Sequence, residues 1–359
     1  MSARLRIDFA FPGDLAAPTG GYGYDRRVMK ELGDLGCIVR PVALPASFPF
    51  PTPDDLATAR RLLVSDARDA LVIDGLAYGA LPADLIRDLA PRPVALVHHP
   101  LFLEAGLEPG IAQGLKRSEQ AALAAAAATI VTSPMTAQIV AREFGVSSTK
   151  IFVAQPGVDV ASRAKGSAAP GAKGSSDVAT RLLAVGSLTP RKAYGDLFRA
   201  LSRITGDWKL VVAGARDLAP AHAQALEELI GRKNLESRIR LAGAMNAQEI
   251  AAAYAGADIF VSSSHFEGFG MAIAEAVAHG LPVVVTQEVA GAGAAPAEGA
   301  LVYPAGDVAS LAACLQRLIE DRALRARLGD GAWSAAQRQM RWTDTARAVL
   351  DAVQTVARS

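Results

Sequence analysis

The 359-residue sequence has few cysteines and almost no excess of charge. Each of these two features argues against certain classes of protein. Its two cysteines, Cys37 and Cys314, lie in separate halves without CxxC spacing, so neither a disulfide framework nor a zinc site is expected. The formal net charge is +1, which argues against nucleic acid as a partner, because phosphate backbones attract strongly basic surfaces. A small anionic ligand in a local basic pocket stays compatible with this balance.

Long apolar runs are lacking as well. No run approaches the length of a membrane span, and the first residues, MSARLRIDFAFPGD, lack the apolar core of a signal peptide. These absences predict a cytoplasmic protein without a transmembrane segment, while peripheral contact with a membrane stays open. With 51% hydrophobic and 20% charged residues, the chain has a globular composition, and its length suffices for two domains.

Short β-rich runs alternate with helical stretches along the whole chain, six runs in each half. Apolar strands of this kind are typical of a parallel sheet covered on both faces, and the alternation predicts a doubly wound sheet. The predicted fold class is therefore α/β, with two Rossmann-like domains that face a cleft. The N-terminal domain is expected at 1–165, a Gly- and Ser-rich linker at 166–179 and the C-terminal domain at 180–340. A last helix at 341–359 either stands apart or packs back on the N-terminal domain.

Two glutamates are separated by seven intervening residues in SSSHFEGFGMAIAEAVAHGLPVVVT, residues 262–286. Glu267 lies in a tight loop after a predicted strand, where a helix N-terminus offers backbone N–H groups to an anion. Glu275 lies in an apolar helix, and a buried carboxylate is costly unless it finds donors such as sugar hydroxyls. The alternatives are a solvated turn for Glu267, and a capped loop or a distant arginine for Glu275.

Two adjacent cations, Arg191 and Lys192, follow a strand and start a helix in VGSLTPRKAYGDL. Cations at a helix N-terminus oppose the helix dipole, so a bare helix does not favour them. A bound diphosphate would relieve this conflict through charge-assisted hydrogen bonds. The alternative is an exposed basic turn.

Three weaker motifs also follow predicted strands. Gly20 and Gly21 precede an amphipathic helix and let backbone approach a ligand, although their spacing is not the complete dinucleotide fingerprint. His98 and His99 end the strand ALVHH, where side chains of such sheets face a ligand cleft, and one of the pair is expected to be structural. The glycine-rich segment 286–307 is either a loop that closes over phosphates or a plain connection.

Together these motifs resemble those of the retaining GT-B glycosyltransferases of family 4, also called glycosyl transferases group 1. EGFGMAIAE is similar to the family's two-glutamate signature, and LLAVGSLTPRKAYGDLFRAL resembles the start of its second domain. GGYGYDRRVMKEL and VHHPL are similar to the glycine loop and the histidine strand of its first domain. The resemblance runs over nearly the whole chain.

The resemblance implies a hexosyltransferase that moves a hexose from a UDP- or GDP-sugar with retention of anomeric configuration. The acceptor would be a glycan, a lipid-linked or a small hydroxyl compound, as in polysaccharide biosynthesis. No cofactor and no metal are expected: many glycosyltransferases hold a metal with a D-x-D motif, which this sequence lacks. The alternatives are a nucleotide-dependent oxidoreductase of the Rossmann type and a catalytically silent nucleotide-sugar-binding protein.

The resemblance also implies roles for single residues. Arg191 and Lys192 would bind the donor diphosphate and stabilise the leaving group, and Glu267 would accept hydrogen bonds from the donor sugar. His98, as a neutral imidazole, would approach the transferred sugar. Glu275 would hold the ribose hydroxyls. The other expected contacts with the nucleotide sugar are Gly20, Gly21, Gly214, Met245, Gly268, Phe269 and Gly270.

The sequence departs from the family pattern at two places. Ala193 follows Lys192 where the family usually has glycine. The segment QEVAGAGAAPAEG stands where the family usually shows Gly-Gly-x-x-Glu, so Glu288 and Glu298 are left without an assigned role.

Overall fold

The computed structural model describes residues 4–64, 68–168 and 179–357, and the chain divides into two compact units. Unit 1 holds the described residues up to 157 and those from 340 onward, and unit 2 holds those from 158 to 339. Residues 158–165, which the sequence placed in the first domain, thus belong to unit 2. Most of the predicted linker lies outside the described residues.

Unit 1 contains a six-stranded sheet in which every pair of neighbouring strands is parallel. Its strands are β1 (Arg6–Pro12), β2 (Ile38–Leu44), β3 (Ala70–Asp74), β4 (Val94–Val97), β5 (Ala128–Val131) and β6 (Ile151–Val153). The strand order is β2-β1-β3-β4-β5-β6, so the direction of winding reverses between β1 and β3. In doubly wound sheets such a reversal marks the place where ligands bind, outside the carboxyl ends of the strands.

Six helices of unit 1 connect these strands. They are α1 (Gly20–Asp34), α2 (Pro53–Leu63), α3 (Gly75–Tyr78), α4 (Ala83–Asp88), α5 (Pro109–Ala125) and α6 (Pro134–Phe144). Helix α1 begins where the Thr19 side chain accepts a hydrogen bond from the Tyr22 N–H at 3.3 Å. Its buried face consists of Tyr24, Asp25, Val28 and Leu32, a helical spacing that points one carboxylate into the interior.

Unit 2 contains a second six-stranded parallel sheet. Its strands are β7 (Thr180–Val185), β8 (Trp208–Ala213), β9 (Ile239–Gly243), β10 (Ile259–Val261), β11 (Val283–Thr286) and β12 (Ala300–Tyr303). The strand order is β12-β11-β10-β7-β8-β9, and the winding reverses between β7 and β10. The two parallel sheets confirm the predicted α/β class and the predicted division of strands, six in each half.

Helices cover both faces of the second sheet. They are α7 (Tyr194–Leu201), α8 (Pro220–Arg232), α9 (Ala247–Gly256), α10 (Met271–Ala278), α11 (Gln287–Ala290), α12 (Val308–Glu320) and α13 (Arg322–Ala336). Neighbouring strand residues point to opposite faces: Leu182 joins the core under α7, α8 and α12, and Leu183 joins the core that includes α10. This two-sided burial explains why the strands are apolar along their whole length.

The last helix, α14 (Trp342–Ala357), belongs to unit 1. The Trp342 ring meets the Tyr24 ring edge-on at 5.9 Å, and the Arg27 guanidinium lies 5.3 Å from the centroid of the same indole. The Thr345 hydroxyl donates to the Gln155 carbonyl at 2.7 Å. Helix α14 therefore completes the packing around α1 and the end of β6.

Within the described parts of the chain, no helix combines the length and the apolar character that crossing a membrane requires.

Candidate functional site

In unit 2, the loops after β7 and β10 bring two cations and a carboxylate together at the reversal of winding. Arg191 Nη1 donates to Glu267 Oε2 at 3.0 Å, and Lys192 Nζ donates to Glu267 Oε1 at 2.5 Å. Two cations and one carboxylate leave a net charge of +1. These three residues are called the cationic cluster below. Its place and its charge suit an anionic ligand.

The two cations lie in a separate turn before α7 and not in the first turn of that helix, as the sequence had predicted. Pro190–Lys192 form a 3-10 turn, and α7 begins at Tyr194. Between them Ala193 has a φ of 49°, a left-handed conformation that glycine adopts at lower cost. The left-handed conformation suits the glycine that the resemblance led us to expect at this position.

Glycine backbone makes the room in which Lys192 lies. Gly186 has a φ of 151°, and a Cβ built on it would approach Lys192 Cε to 2.7 Å. Gly214, at the end of β8, packs so closely against the Gly186 carbonyl that it has no space for a Cβ. The Ser263 hydroxyl fixes the same turn by donating to the Lys192 carbonyl at 2.7 Å. Gly214, predicted to lie near the base, thus supports the cationic cluster through Gly186.

Glu267 is held as a carboxylate. Besides the two cations, the Ser264 hydroxyl donates to its Oε1 at 2.6 Å. Burial raises the pKa of Glu267, but the charges of Lys192 and Arg191 and the hydrogen bonds outweigh burial and hold the pKa far below its usual range. Glu267 is therefore an acceptor of hydrogen bonds, and not a proton donor, at neutral pH.

The loop after Glu267 leads into α10 through glycine. Gly270 has a φ of 98° and precedes Met271, the first residue of α10, without a side chain that could bond the first N–H groups. Phe269 packs against the core on this side, next to Gly268. The predicted glycine loop at the start of α10 is therefore present, with backbone donors beside the cationic cluster.

Glu275 finds a protein donor on a neighbouring helix. The Tyr254 hydroxyl of α9 donates to Glu275 Oε2 at 2.9 Å, and the Tyr254 ring stacks on His279 at 5.3 Å between centroids. Burial raises the pKa of Glu275. The donor to this carboxylate is thus a tyrosine, neither a distant arginine nor a capped loop. Met245 lies two residues after β9, and no contact described for it joins it to the cationic cluster.

The glycine-rich segment after β11 is held in place by a hydrogen bond at its start and by an ion pair further along. The Thr286 hydroxyl donates to the Ser264 carbonyl at 2.9 Å, next to the serine that bonds Glu267. Glu298 pairs with Arg338. Segment 286–307 is therefore connected to the cationic cluster through Thr286, whereas Glu298 is engaged elsewhere in unit 2.

In unit 1, His98 follows β4 directly and lies between two carboxylates. His98 Nε2 is 2.9 Å from Asp25 Oδ1 and 3.2 Å from Asp74 Oδ2. Asp74 ends β3, and its other oxygen accepts from the Leu76 N–H at 2.8 Å. Asp25 comes from the buried face of α1. Asp25, Asp74 and His98 are called the acidic cluster below.

The protonation of His98 differs from the neutral imidazole that the sequence predicted. Burial lowers the pKa of His98, but the charges and hydrogen bonds of Asp25 and Asp74 outweigh it and raise the pKa to about 10. Burial raises the pKa of Asp25 to about 6, against the effect of His98. Between these values the acidic cluster holds an imidazolium between two carboxylates.

The residues next to His98 define its surroundings. Gly21 faces the imidazole, since a Cβ built on it would lie 3.4 Å from His98 Cδ2, whereas a Cβ on Gly20 would meet nothing within 4 Å. The Tyr24 ring meets the imidazole edge-on at 5.0 Å. His99 Nε2 lies 3.6 Å from Glu104 Oε2, so the two histidines face different groups.

Asp25 and Asp74 are the residues that the sequence analysis missed. Asp74 carried a signal, because it ends the fully buried strand ALVID at the edge where ligands bind. One side-chain atom each of Asp25, Asp74 and His98 lie within 4.8 Å of one another. Among the described residues, these three form the group whose spacing would fit a metal ion.

Two protein-family models match the chain. The model described as Glycosyltransferase Family 4 matches residues 15–162, and the model described as Glycosyl transferases group 1 matches residues 179–321. D-inositol 3-phosphate glycosyltransferase of Kineococcus radiotolerans is 34% identical over 229 residues, 58% of this chain and 52% of that protein. MMP alpha-(1->4)-mannosyltransferase of Mycolicibacterium hassiacum is 25% identical over 319 residues, 84% of this chain and 74% of that protein.

The chain spans 52% to 62% of the length of three D-inositol 3-phosphate glycosyltransferases that it matches. Two solved structures cover nearly all of it. Sucrose-phosphate synthase from Thermosynechococcus elongatus has a TM-score of 0.84 at 21% identity and covers 99% of this chain and 100% of its own. HepE from Anabaena, in complex with UDP and glucose, has a TM-score of 0.75 at 17% identity and covers 97% of this chain and 99% of its own. At these identities the likeness shows the fold.

Proposed function

The chain belongs to the group 1 and family 4 glycosyltransferases and has the GT-B fold, and from this premise we propose that it is a retaining, metal-independent hexosyltransferase. Its donor is a nucleoside diphosphate hexose. The observation that carries this proposal is the cationic cluster at the β7–β10 reversal, where Arg191 and Lys192 converge on Glu267. Family membership also argues against the oxidoreductase alternative.

The cationic cluster suits the departure of a nucleoside diphosphate. Negative charge grows on the β-phosphate as the glycosidic bond breaks, and fixed donors aimed at that charge lower the barrier. Arg191 and Lys192 supply charge-assisted donors, and the backbone at the start of α10 supplies more. In this role the two cations and the helix stand where other transferases use a metal.

The two glutamates divide the recognition of the donor. Glu267 holds both cations and accepts hydrogen bonds from hydroxyls of the sugar. Glu275 Oε2 is engaged by Tyr254, so its Oε1 is the atom that accepts from the ribose hydroxyls. The anomeric carbon gains oxocarbenium character in the transition state, as in glycoside hydrolysis.

The donor base is uracil or guanine, and the acceptor is a glycan, a lipid-linked or a small hydroxyl compound. The UDP and glucose named for the HepE complex support a UDP-hexose. The inositol phosphate named for the Kineococcus relative supports a small polyol as acceptor.

A thermal-shift screen against UDP-, GDP- and ADP-glucose and the matching mannose donors tests the function, because a ligand that binds only the native state raises its stability. We expect one nucleotide to raise the melting temperature equally with and without EDTA. Transfer to an acceptor pool, followed by NMR of the new linkage, tests activity and retention.

Lys192→Ala should reduce the thermal shift. Arg199→Ala is the matched control, since Arg199 is a half-exposed arginine of α7 that pairs with Asp196. No shift with any donor, or a shift that EDTA removes, contradicts the proposal, and binding without transfer identifies a silent binding protein.

A further inference from the structure

We propose that Asp25 and Asp74 are positioning residues that hold His98 as an imidazolium and leave its Nδ1–H as the group that donates to an oxygen of the nucleotide sugar. The role toward the sugar rests on the proposed function. The charge state of the cluster does not, and it can be measured in the protein alone.

The geometry separates the two ring nitrogens of His98. Nε2 lies within hydrogen-bond distance of both carboxylates, so its N–H is committed to them. No described residue bonds Nδ1. The His98 side chain is 19% exposed, whereas those of Asp25 and Asp74 are 0% and 3% exposed. A ligand can therefore reach the imidazole ring, but not the carboxylates behind it.

The charges favour a cation between the two carboxylates. Asp25 Oδ2 is buried without a hydrogen-bond partner among the described residues. A buried carboxylate is costly unless an opposite charge compensates it, and two of them near one nitrogen favour the protonated ring. Neutral His98 would leave two buried negative charges with a single shared N–H.

The other titratable groups around the cluster do not replace this cation. Arg26 of α1 acts on Asp25 through its charge, but it is exposed, and its guanidinium donates to the carbonyls of Leu15 and Ala17. Tyr22 and Tyr24, also of α1, have raised pKa values because of burial first and the nearby aspartates second, so they stay neutral. His98 is thus the cation in direct contact with both aspartates.

An imidazolium cannot accept a proton, so His98 is not a general base at neutral pH. With Nε2–H bound to the aspartates, Nδ1–H is a charge-assisted donor in a fixed direction. Its acceptor is an oxygen of the nucleotide sugar, either a hydroxyl or a phosphate oxygen. This orients the reacting group at little entropic cost, since the aspartates already fix the ring.

NMR of the protein labelled with ¹⁵N in its histidines tests the charge state without any ligand. The chain has five histidines, and His98→Gln identifies the signals of His98. We expect both ring nitrogens of His98 to stay protonated up to about pH 9, since its two carboxylate partners raise its pKa. A neutral His98 ring at about pH 8 overturns the proposal.

Asp25→Asn tests the positioning role. It should lower the titration midpoint of His98 by at least about one unit and move the basic limb of the kcat profile to lower pH by the same amount. Asp34→Asn is the matched control, because Asp34 lies on the same helix, is exposed and pairs with Lys30. An unchanged midpoint in Asp25→Asn, or an equal loss of kcat at every pH, overturns the role.

Asp74→Asn is the second variant if Asp25→Asn fails to fold, because the asparagine oxygen can still accept from the Leu76 N–H. It should shift the same midpoint in the same direction, and an unchanged midpoint again overturns the role.

A metal-binding experiment tests the other use of the same three residues. Zn²⁺ and Mn²⁺ are added separately to EDTA-treated protein. If either metal ion binds stoichiometrically and removes the His98 N–H signals, the proposal of an imidazolium is wrong and the acidic cluster is a metal site. If the NMR result holds but no donor sugar is transferred, the proposed function fails alone.

Discussion

The acidic cluster of unit 1 and the cationic cluster of unit 2 occupy equivalent places in two similar sheets, yet they have opposite charge. Each lies at the carboxyl ends of the strands where the winding reverses, β1–β3 in one unit and β7–β10 in the other. In unit 1 two carboxylates hold one imidazolium, and in unit 2 two cations hold one carboxylate. The two clusters thus share one position in the fold, and the side chains at that position determine the sign of its charge.

In both clusters the central group is held in its charged form. The aspartates raise the pKa of His98 against burial, and the cations lower the pKa of Glu267 against burial. Neither group exchanges a proton readily at neutral pH. Fixed charges of this kind suit the orientation and stabilisation of charge better than general acid–base catalysis.

The largest effect on turnover is expected when one positive charge of the cationic cluster is removed. Lys192→Ala should lower kcat by roughly 10²–10³-fold, because a donor to the leaving phosphate is lost from a fixed site. Steady-state kinetics with the donor found in the thermal-shift screen measure it. A loss no greater than that of Arg199→Ala would show that the charge of Lys192 is not used in catalysis.

A smaller effect should separate the two glutamates of unit 2. Glu275→Gln should weaken binding of the free nucleoside diphosphate by roughly 1–3 kcal/mol, since a charged acceptor for ribose is lost. Glu267→Gln should tighten it, because Arg191 and Lys192 are then no longer neutralised by a carboxylate. Calorimetry measures both affinities.

Turnover should fall in Glu267→Gln although its nucleotide affinity rises. If nucleotide binding is weaker in both variants, the main effect of Glu267 is to position Arg191 and Lys192 for the diphosphate. Its competition with the diphosphate for these two cations is then the smaller effect.

The effect expected for the acidic cluster concerns stability, and it is the smallest of the three when it is measured over a single unit of pH. The pKa of His98 is about 10 in the folded protein, above its unfolded value of about 6.5. Its contribution is fully present below the unfolded pKa and is lost as pH rises through the folded pKa. The free energy of unfolding should therefore fall by about 1.4 kcal/mol per unit of pH between these values.

Urea unfolding of the wild type and of His98→Gln at several pH values measures this slope. The variant should lack it, and His265→Gln, in which an exposed histidine is changed, should keep it. Parallel slopes in the wild type and His98→Gln would contradict the raised pKa.

Local patterns were enough to predict the strands and much of the cationic cluster. Each strand is a short apolar run that can be recognised from a few consecutive residues. Arg191, Lys192 and Glu267 follow such strands in recognisable motifs. The acidic cluster could not be predicted in this way, because Asp25, Asp74 and His98 come together only through a strand order that the sequence does not state. The Tyr254–Glu275 bond likewise joins two helices whose packing is decided by the core. A cytoplasmic location and the roles of the site residues stay predictions.

The return of α14 to unit 1 has a consequence for the order in which the molecule can fold during synthesis. The ribosome completes α1 and β6 long before it reaches Trp342, and the whole of unit 2 is made in between. Until then Tyr24 and Arg27 lack the indole against which they pack, and the Gln155 carbonyl lacks the hydroxyl of Thr345. Unit 2 can therefore fold while the nascent chain is still growing, whereas unit 1, although its first residues are made earlier, is complete only after α14 has been synthesised.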